Sequence, residues 1–285
     1  MPRLGAHVPS SDGYARAVER EVEAGGTCGQ FSLEPSDGWE VDPVDDERAQ
    51  GFRTTLSETD VHPWIVRARD PIDLATPDRD VGMRSMRTVQ DELALADRLG
   101  AAHYVVTPGT HDGTTRKEGI ANVVRRLSAV DHDGETTILL ENAAGEGSTL
   151  GADVGDLADI VDRATKESEE VGLCLDTCSL HAAGYDLRTA DGLNEVLDTV
   201  ESTVGIEHLR CLHLNDSEAA VGSHRDRPAH VGEGRIGESG FERVVNHQWL
   251  RDLPMVVEPP DPGRITRDLA TVRGLRRPAT DRVNR

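Results

Sequence analysis

Lysine and aromatic side chains are scarce in this sequence of 285 residues. Only Lys117 and Lys166 are lysines, and aromatic residues make up 3% of the chain. Acidic residues outnumber basic ones by 52 to 31, so the net charge is −21 and arginine carries nearly all the positive charge. This composition indicates adaptation to a high-salt cytoplasm, with avoidance of polyanions as an alternative interpretation. Net charge bears on solubility and not on fold.

Long hydrophobic runs and paired cysteines are also missing. No stretch approaches the roughly 20 apolar residues of a membrane span, and Met1 leads directly into Leu4–Val8 without a signal-like region. We therefore expect a cytoplasmic protein without a membrane partner. The four cysteines, Cys28, Cys174, Cys178 and Cys211, form no CxxC pair. They are expected to be buried free thiols and not disulfides or a zinc knuckle.

Short apolar runs alternate regularly with helical patterns along the chain. Buried parallel strands give such continuous apolar runs, and the intervening segments place apolar residues on one helix face. Eight alternations predict an α/β fold, a closed (β/α)8 TIM barrel, formed by one domain over residues 1–273 with a flexible tail over 274–285. No GxGxxG or P-loop follows the first run, which disfavours a nucleotide-binding sheet. The predicted strands are Leu4–Val8, Cys28–Leu33, Val61–Val66, His103–Val106, Thr137–Glu141, Val171–Asp176, Leu209–Leu214 and Pro254–Glu258.

Four consecutive strands carry a metal-binding type of side chain near their ends. These residues are Glu141, Asp176, His213 and Glu258. The C-terminal strand ends of a barrel meet at one face, where the active site lies. Three carboxylates and an imidazole there suit Zn²⁺ or Mn²⁺, and without a cation the carboxylates would repel one another. The alternative is that they are unrelated polar residues at strand ends.

Several longer motifs resemble the endonuclease IV family. They are Gly5–Val8, Leu140–Ser148, Asp176–Asp186, His213–Asp216 and Gly232–Gly237. The resemblance covers nearly the whole chain. It implies a xylose isomerase-like barrel and a zinc-dependent enzyme that cuts DNA on the 5′ side of abasic sites with three metal ions.

The resemblance also implies which ligands this chain keeps and which it has lost. Glu141, Asp176, His213 and Glu258 match family ligands, and Asp226 is a weaker fifth match. Four family histidines are replaced, by Arg67, Thr107, Ser179 and Pro228. Arginine and proline offer no lone pair to a metal, and threonine and serine are weak zinc ligands. One ion is therefore expected instead of three, with Arg67 supplying a fixed positive charge.

Two further histidines are candidate replacement ligands. His181 lies three residues before Gly184 in the strand-six motif, and His230 precedes the Gly232–Gly237 segment. The alternatives are that His181 fills space in the core and that His230 lies in an exposed loop.

The segments that would contact DNA depart from the family pattern. The loop Glu34–Trp39 is acidic where the family is basic, and the segment that begins at Arg67 lacks an aromatic wedge. Phosphate contacts come mainly from lysine and arginine, and a flipped nucleotide needs a wedge. Trp39, Arg67, Arg69 and Arg84 are the candidate substrate contacts, although a tryptophan at such a position also packs.

Three functions remain compatible with the sequence. The first is inherited phosphodiester hydrolysis on abasic DNA with fewer metal ions. The second is a mononuclear sugar isomerase or epimerase, in which Glu141 and Glu258 exchange a proton on carbon and Arg67 binds a substrate phosphate or carboxylate. The third is a non-catalytic, metal-stabilised binding protein. Fold alone does not choose among them.

Overall fold

A computed structural model describes residues 3–33, 39, 44–167 and 171–277 of the chain. Most of the acidic loop at 34–38 and the C-terminal segment 278–285 lie outside the described residues. The expectations of an acidic DNA-facing loop and of a flexible tail therefore stay predictions for those residues.

Eight parallel strands close into a barrel in the order β1-β10-β7-β6-β5-β4-β3-β2. The barrel strands are β1 (Leu4–His7), β2 (Cys28–Ser32), β3 (Trp64–Arg67), β4 (His103–Val106), β5 (Thr137–Glu141), β6 (Val171–Asp176), β7 (Leu209–His213) and β10 (Met255–Val257). Strand β1 pairs with both β2 and β10, which closes the ring. The predicted (β/α)8 fold is confirmed.

Helices cover the outside of the barrel, as the apolar spacing predicted. They are α1 (Tyr14–Ala24), α2 (Asp46–Ser57), α3 (Arg79–Leu99), α4 (Arg116–Leu127), α5 (Val154–Glu167), α6 (Thr177–Ala183), α7 (Ala190–Thr203), α8 (Gly237–Asn246) and α9 (Ile265–Leu275). Local signals fix their ends. Thr115 and Glu118 form a reciprocal capping box at the start of α4, and Gly100 ends α3 with a φ of 80°. Among the described helices, none is both long and apolar enough to cross a membrane.

Two separate apolar clusters hold the barrel together. The larger cluster packs strands against helices, and the smaller takes one buried residue from each of seven strands. Side chains that alternate along a strand face opposite sides of the sheet, so the smaller cluster fills the barrel interior. It consists of Cys28, Ile65, Val105, Leu139, Cys174, Cys211 and Val256.

A short antiparallel hairpin, which the sequence analysis did not predict, follows β7. Its strands are β8 (Asp216–Ser217) and β9 (Pro228–Ala229). The fully buried Asp216 carboxylate accepts the backbone N–H groups of Gly232, Gly234 and Ile236 at 3.1, 2.9 and 2.9 Å. This one side chain therefore fixes the loop 232–237 beside the barrel mouth.

Predicted element boundaries differ from the observed ones by up to three residues. The third strand begins at Trp64 and not at Val61, because Pro63 has no N–H to donate to the sheet. The helix α9 continues to Leu275, two residues beyond the predicted end of the domain, and Arg277 pairs with Glu242 at 2.9 Å. These contacts tie the last described residues to α8.

Candidate metal centre

Four possible metal ligands meet at the C-terminal mouth of the barrel. Glu141, Asp176 and His213 are the last residues of β5, β6 and β7, and Glu258 directly follows β10. One ligand atom from each of the four lies within 4.8 Å of all the others. The parallel register is responsible, since Asp176 pairs with His213 and Cys174 with Glu141 across neighbouring strands. The four side chains predicted to converge are therefore together.

Gln30 orients the imidazole of His213. The Nε2 atom of His213 lies 2.7 Å from Oε1 of Gln30, while the Gln30 amide nitrogen donates to Oε1 of Glu258 at 2.6 Å. Nε2 therefore carries a proton, which it donates to Gln30. Burial acts to lower the pKa of His213, but Cys174, Glu258 and Glu141 raise it well above its ordinary value, so Nδ1 donates a second N–H to Oε1 of Glu141 at 2.5 Å. A bound cation would replace that proton. A histidine that donates one ring N–H to a fixed oxygen and offers the other nitrogen is typical of metal centres.

Two asparagines position the carboxylates. Asn142 accepts the backbone N–H of Asp176 at 2.6 Å and donates to its carbonyl at 3.2 Å. Asn215 donates to Oδ2 of Asp176 at 2.5 Å and accepts the backbone N–H of Glu258 at 3.0 Å. Each asparagine side chain thus links the ends of neighbouring strands. These links hold the carboxylates of Asp176 and Glu258 at a fixed spacing.

Arg67, the last residue of β3, reaches across the mouth into the same group. Its Nη1 is 2.5 Å from Oε1 of Glu258, and its Nη2 is 3.0 Å from Oε2 of Glu141. Nη1 also lies 3.3 Å from Nδ1 of His213. Burial alone lowers the pKa of Arg67, but Glu141 and Glu258 raise it by more. The guanidinium is therefore a permanent positive charge among three carboxylates.

The carboxylates have different proton affinities because their surroundings differ. Burial and repulsion from Glu141 raise the pKa of Asp176 to about 7. Burial also acts to raise the pKa of Glu258, but His213 and Arg67 outweigh it and lower that pKa to about 2. Burial lowers the pKa of His7 to about 4, so this histidine is neutral at neutral pH. A divalent cation would favour the ionised form of Asp176, which suits the donor set for a metal ion.

The other positions that the resemblance assigned to metal ligands offer few atoms that could bind a metal ion. Thr107 follows β4 and lines the cleft, and the backbone N–H of Ser179 donates to Oδ1 of Asp176 at 2.6 Å. Pro228 lies in β9 and has no ligating side chain. Asp226 lines the cleft but is not one of the four clustered ligands, and its Oδ1 lies 3.4 Å from Sγ of Cys178.

The remaining candidates, Arg69 and Trp39, have contacts with residues outside this group. Arg69 lines the cleft, but its Nε is 2.7 Å from Oε1 of the buried Glu92. The carbonyl of Trp39 accepts a long hydrogen bond from Thr88 of α3. The substrate contacts expected of Arg69 and Trp39 therefore stay predictions.

The candidate replacement histidines are not among the four clustered ligands. His181 is fully buried in α6, as the space-filling interpretation expected. The Nδ1 of His230 lies 2.8 Å from Oδ2 of the buried Asp268 on α9. His230 is therefore partly buried and paired, and the expectation that it lies in an exposed loop is wrong.

Two cavities of about 580 and 430 Å³ open at the barrel mouth. Both are lined by Arg67, Thr107, Glu141 and Glu258, so the ligand group lies where the cavities meet. Residues from the β8–β9 loop, including Asp226, line the smaller cavity, while His7 lines the larger one. A substrate that spans both cavities would place its central atoms beside the two glutamates.

Sequence reasoning missed four residues of this site: His7, Gln30, Asn142 and Asn215. Signals existed for the asparagines, since each directly follows a predicted ligand or its neighbour in a recognised motif. Gln30 lies inside an apolar strand, and only the register of β1 with β2, which pairs His7 with Gln30, brings it to the site.

Comparisons with known proteins agree with the fold. The family described as xylose isomerase-like TIM barrel matches residues 18–277. The chain is 37% identical to the probable endonuclease 4 of Haloquadratum walsbyi, over 90% of this chain and 92% of that protein. It is 33% identical to the probable endonuclease 4 of Halothermothrix orenii, over 96% and 99% of the two chains.

Solved structures give the same assignment. Endonuclease IV from Thermus thermophilus matches with a TM-score of 0.82 and 29% identity, over 96% of this chain and 98% of that one. D-Psicose 3-epimerase from Clostridium cellulolyticum matches with a TM-score of 0.69 over 96% and 98%, and at 14% identity this similarity concerns the fold alone. The chain therefore belongs to the endonuclease IV family of xylose isomerase-like TIM barrels.

Proposed function

We propose that this protein is a metal-dependent phosphodiester hydrolase that acts on abasic sites in DNA with one divalent ion. Glu141, Asp176, His213 and Glu258 would hold the ion, Zn²⁺ or Mn²⁺. The observation that carries the proposal is the convergence of these four side chains within 4.8 Å at the mouth of an endonuclease IV-type barrel.

Charge balance supports one ion at this mouth. Three carboxylates carry three negative charges when they are ionised, and Arg67 supplies one positive charge. One divalent ion makes the sum zero. Three divalent ions would leave a large positive excess in a buried setting, where unpaired charge is costly. The side chains at positions 67, 107, 179 and 228 also provide too few lone pairs for two more ions.

When it is bound, the ion would act as a Lewis acid and lower the pKa of a water molecule. The chain's own groups would orient the substrate. Arg67 lies where the two cavities meet and directs positive charge toward a phosphate there. His7 accepts the Gln30 amide N–H on Nδ1 at 3.0 Å, so its proton lies on Nε2. That N–H would donate to a substrate oxygen in the larger cavity.

A nicking assay tests this proposal. Purified protein with added Zn²⁺ or Mn²⁺ should cut a labelled duplex that contains one abasic-site analogue and leave the matched intact duplex uncut. Glu141→Gln should abolish cutting, because it removes a charged ligand and keeps the side-chain shape. Asp159→Asn is a matched control on the outer helix α5, where Asp159 pairs with Arg163. Metal-loaded protein that leaves the abasic duplex intact would contradict the proposal.

Restoring the family histidines separates loss of the activity from an unsuitable assay. The variant with histidine at positions 67, 107, 179 and 228 recovers the ligand types implied by the family resemblance. If that variant cuts abasic DNA and the natural protein does not, the natural protein has left this chemistry.

Sugar epimerisation is the second candidate, and the paired glutamates favour it. Glu141 of β5 and Glu258, which follows β10, both contact Arg67, and both line a cavity of about 580 Å³ that suits a small molecule. Two such carboxylates are able to exchange a proton on carbon while the ion holds substrate oxygens. Incubation of a ketose panel with Mn²⁺ in D₂O separates the candidates, since an epimerase incorporates deuterium into carbon and a hydrolase does not.

A further inference from the structure

A second group of possible metal ligands lies among the interior side chains of the barrel. Ligand atoms of Cys174, Cys211 and His213 all lie within 4.8 Å of one another. All three residues are fully buried. His213 thus takes part in two ligand groups, one rich in carboxylate oxygen and one rich in sulfur.

The barrel geometry explains why the two thiols are adjacent. Strands β6 and β7 are neighbours, and their register pairs Cys174 with Cys211. Both residues belong to the interior cluster, so both side chains point toward the barrel axis. His213 lies two residues after Cys211 on β7, and side chains at this spacing face the same side of a strand.

We propose that Cys174, Cys211 and His213 form a second cation site for thiophilic divalent ions such as Cd²⁺ and Hg²⁺. The site is separate from the carboxylate group except for the imidazole of His213. Its two ring nitrogens contact Gln30 and Glu141, so an ion at the thiols has to displace one of these contacts to bind the ring. It does not depend on the hydrolase function proposed above.

The size of the group fits such an ion. Zinc–sulfur bonds are about 2.3 Å long, which places two sulfurs about 3.8 Å apart around a tetrahedral Zn²⁺ and slightly farther apart around the larger Cd²⁺. Both separations lie within the 4.8 Å limit of the cluster.

The surroundings select for ions with a high affinity for sulfur. Each thiol S–H bond would break as a sulfur–metal bond forms, and the two protons would pass to solvent. Two thiolates and one divalent ion sum to zero charge, which suits apolar neighbours such as Ile65 and Leu139. Mn²⁺ and Mg²⁺ prefer oxygen and should remain at the carboxylates.

Cadmium titration of the reduced, full-length protein tests the site. Binding should produce sulfur-to-cadmium charge-transfer absorption that saturates at about one ion per chain. Cys174→Ala and Cys211→Ala should each abolish this absorption. Cys28→Ala is the matched control, because Cys28 belongs to the same interior cluster as Cys174 and Cys211. Cys178→Ala controls for the thiol beside Asp226. Both controls should keep the absorption.

Several outcomes would overturn the proposal. These are absorption that survives loss of Cys174 or Cys211, absorption that disappears with Cys178→Ala, and no absorption in the natural protein. If the interior variants do not fold, X-ray absorption of the natural protein with one Cd²⁺ should still show two sulfur neighbours. An all-oxygen and nitrogen shell would refute the site. Because His213 is shared, one bound Cd²⁺ should also weaken Mn²⁺ binding measured by electron paramagnetic resonance, and unchanged Mn²⁺ affinity would refute the sharing.

Discussion

Replacing Arg67 with methionine should make the stability of the barrel depend on a divalent ion. The Arg67 guanidinium lies 2.5 Å from Glu258 and 3.0 Å from Glu141, and the side chains of these glutamates are only 19% and 4% exposed. Methionine keeps much of the length of the side chain and removes its charge. Arg67→Met therefore leaves three carboxylates facing one another with His213 as the only basic partner in the four-residue group.

The expected loss follows from the burial of these pairs. Removing one partner from a buried ion pair costs about 3–5 kcal/mol, because the other charge stays buried without compensation. The entropy of unfolding is about 2.1 cal/mol/K per residue, or about 0.6 kcal/mol/K for 285 residues. The midpoint of thermal unfolding should therefore fall by about 5–8 °C in metal-free buffer.

Thermal unfolding with a chelator and with Mn²⁺ measures this effect. Mn²⁺ should restore most of the lost stability of Arg67→Met, because an ion that binds only the folded state stabilises it. Arg98→Met is the control, since Arg98 pairs with Asp46 at the surface, where ion pairs contribute little. If Arg67→Met without metal unfolds at the same temperature as the natural protein, Arg67 is not the internal counter-charge.

Three further substitutions test other parts of the structure. Burial raises the pKa of Glu21 from 4.5 to about 8, so between these pH values the unfolded chain loses a proton that the folded chain keeps, and stability falls as the pH rises. The free energy of unfolding should fall by about 5 kcal/mol at most across that pH range, and Glu21→Gln should remove the fall. Urea unfolding at several pH values measures it. Asp216→Ala should destabilise the loop 232–237, at about 1–3 kcal/mol for each N–H left unpaired, and hydrogen exchange there should accelerate. Asn215→Ala should weaken metal binding about 10–100-fold in calorimetric titration, because Asn215 orients two ligands, and unchanged affinity would contradict that role.

The sequence was sufficient to predict the barrel because its signals are local and repeated. Each strand is a short apolar run, and the runs recur with helices between them. The strand ends also predicted Glu141, Asp176, His213 and Glu258, since parallel strands place their C-terminal ends together. The start of β3 was predicted wrongly because the apolar run continues through Pro63, which the sheet cannot use as a donor.

Contacts between distant parts of the chain were harder to predict. Arg67 and Glu258 are 191 residues apart, and their contact depends on closure of the barrel, which leaves only β2 and β1 between β3 and β10. Gln30 is one polar residue within an apolar run, and its role depends on the positions of His213 and Glu258. The adjacency of Cys174 and Cys211 depends on the register of β6 with β7. Spacing along the chain carries no signal for these pairs.

The metal content of the purified protein shows directly how many ions the barrel mouth holds. The sample is the Cys174→Ala variant, saturated with Zn²⁺ or Mn²⁺ and then freed of loosely bound ions. Elemental analysis should give about one ion per chain. This background excludes the interior thiol group, so the count reports the carboxylate group alone. A value near one agrees with four ligands balanced by Arg67. A value near three, or no bound ion in a folded sample, would contradict a single-ion site at the barrel mouth.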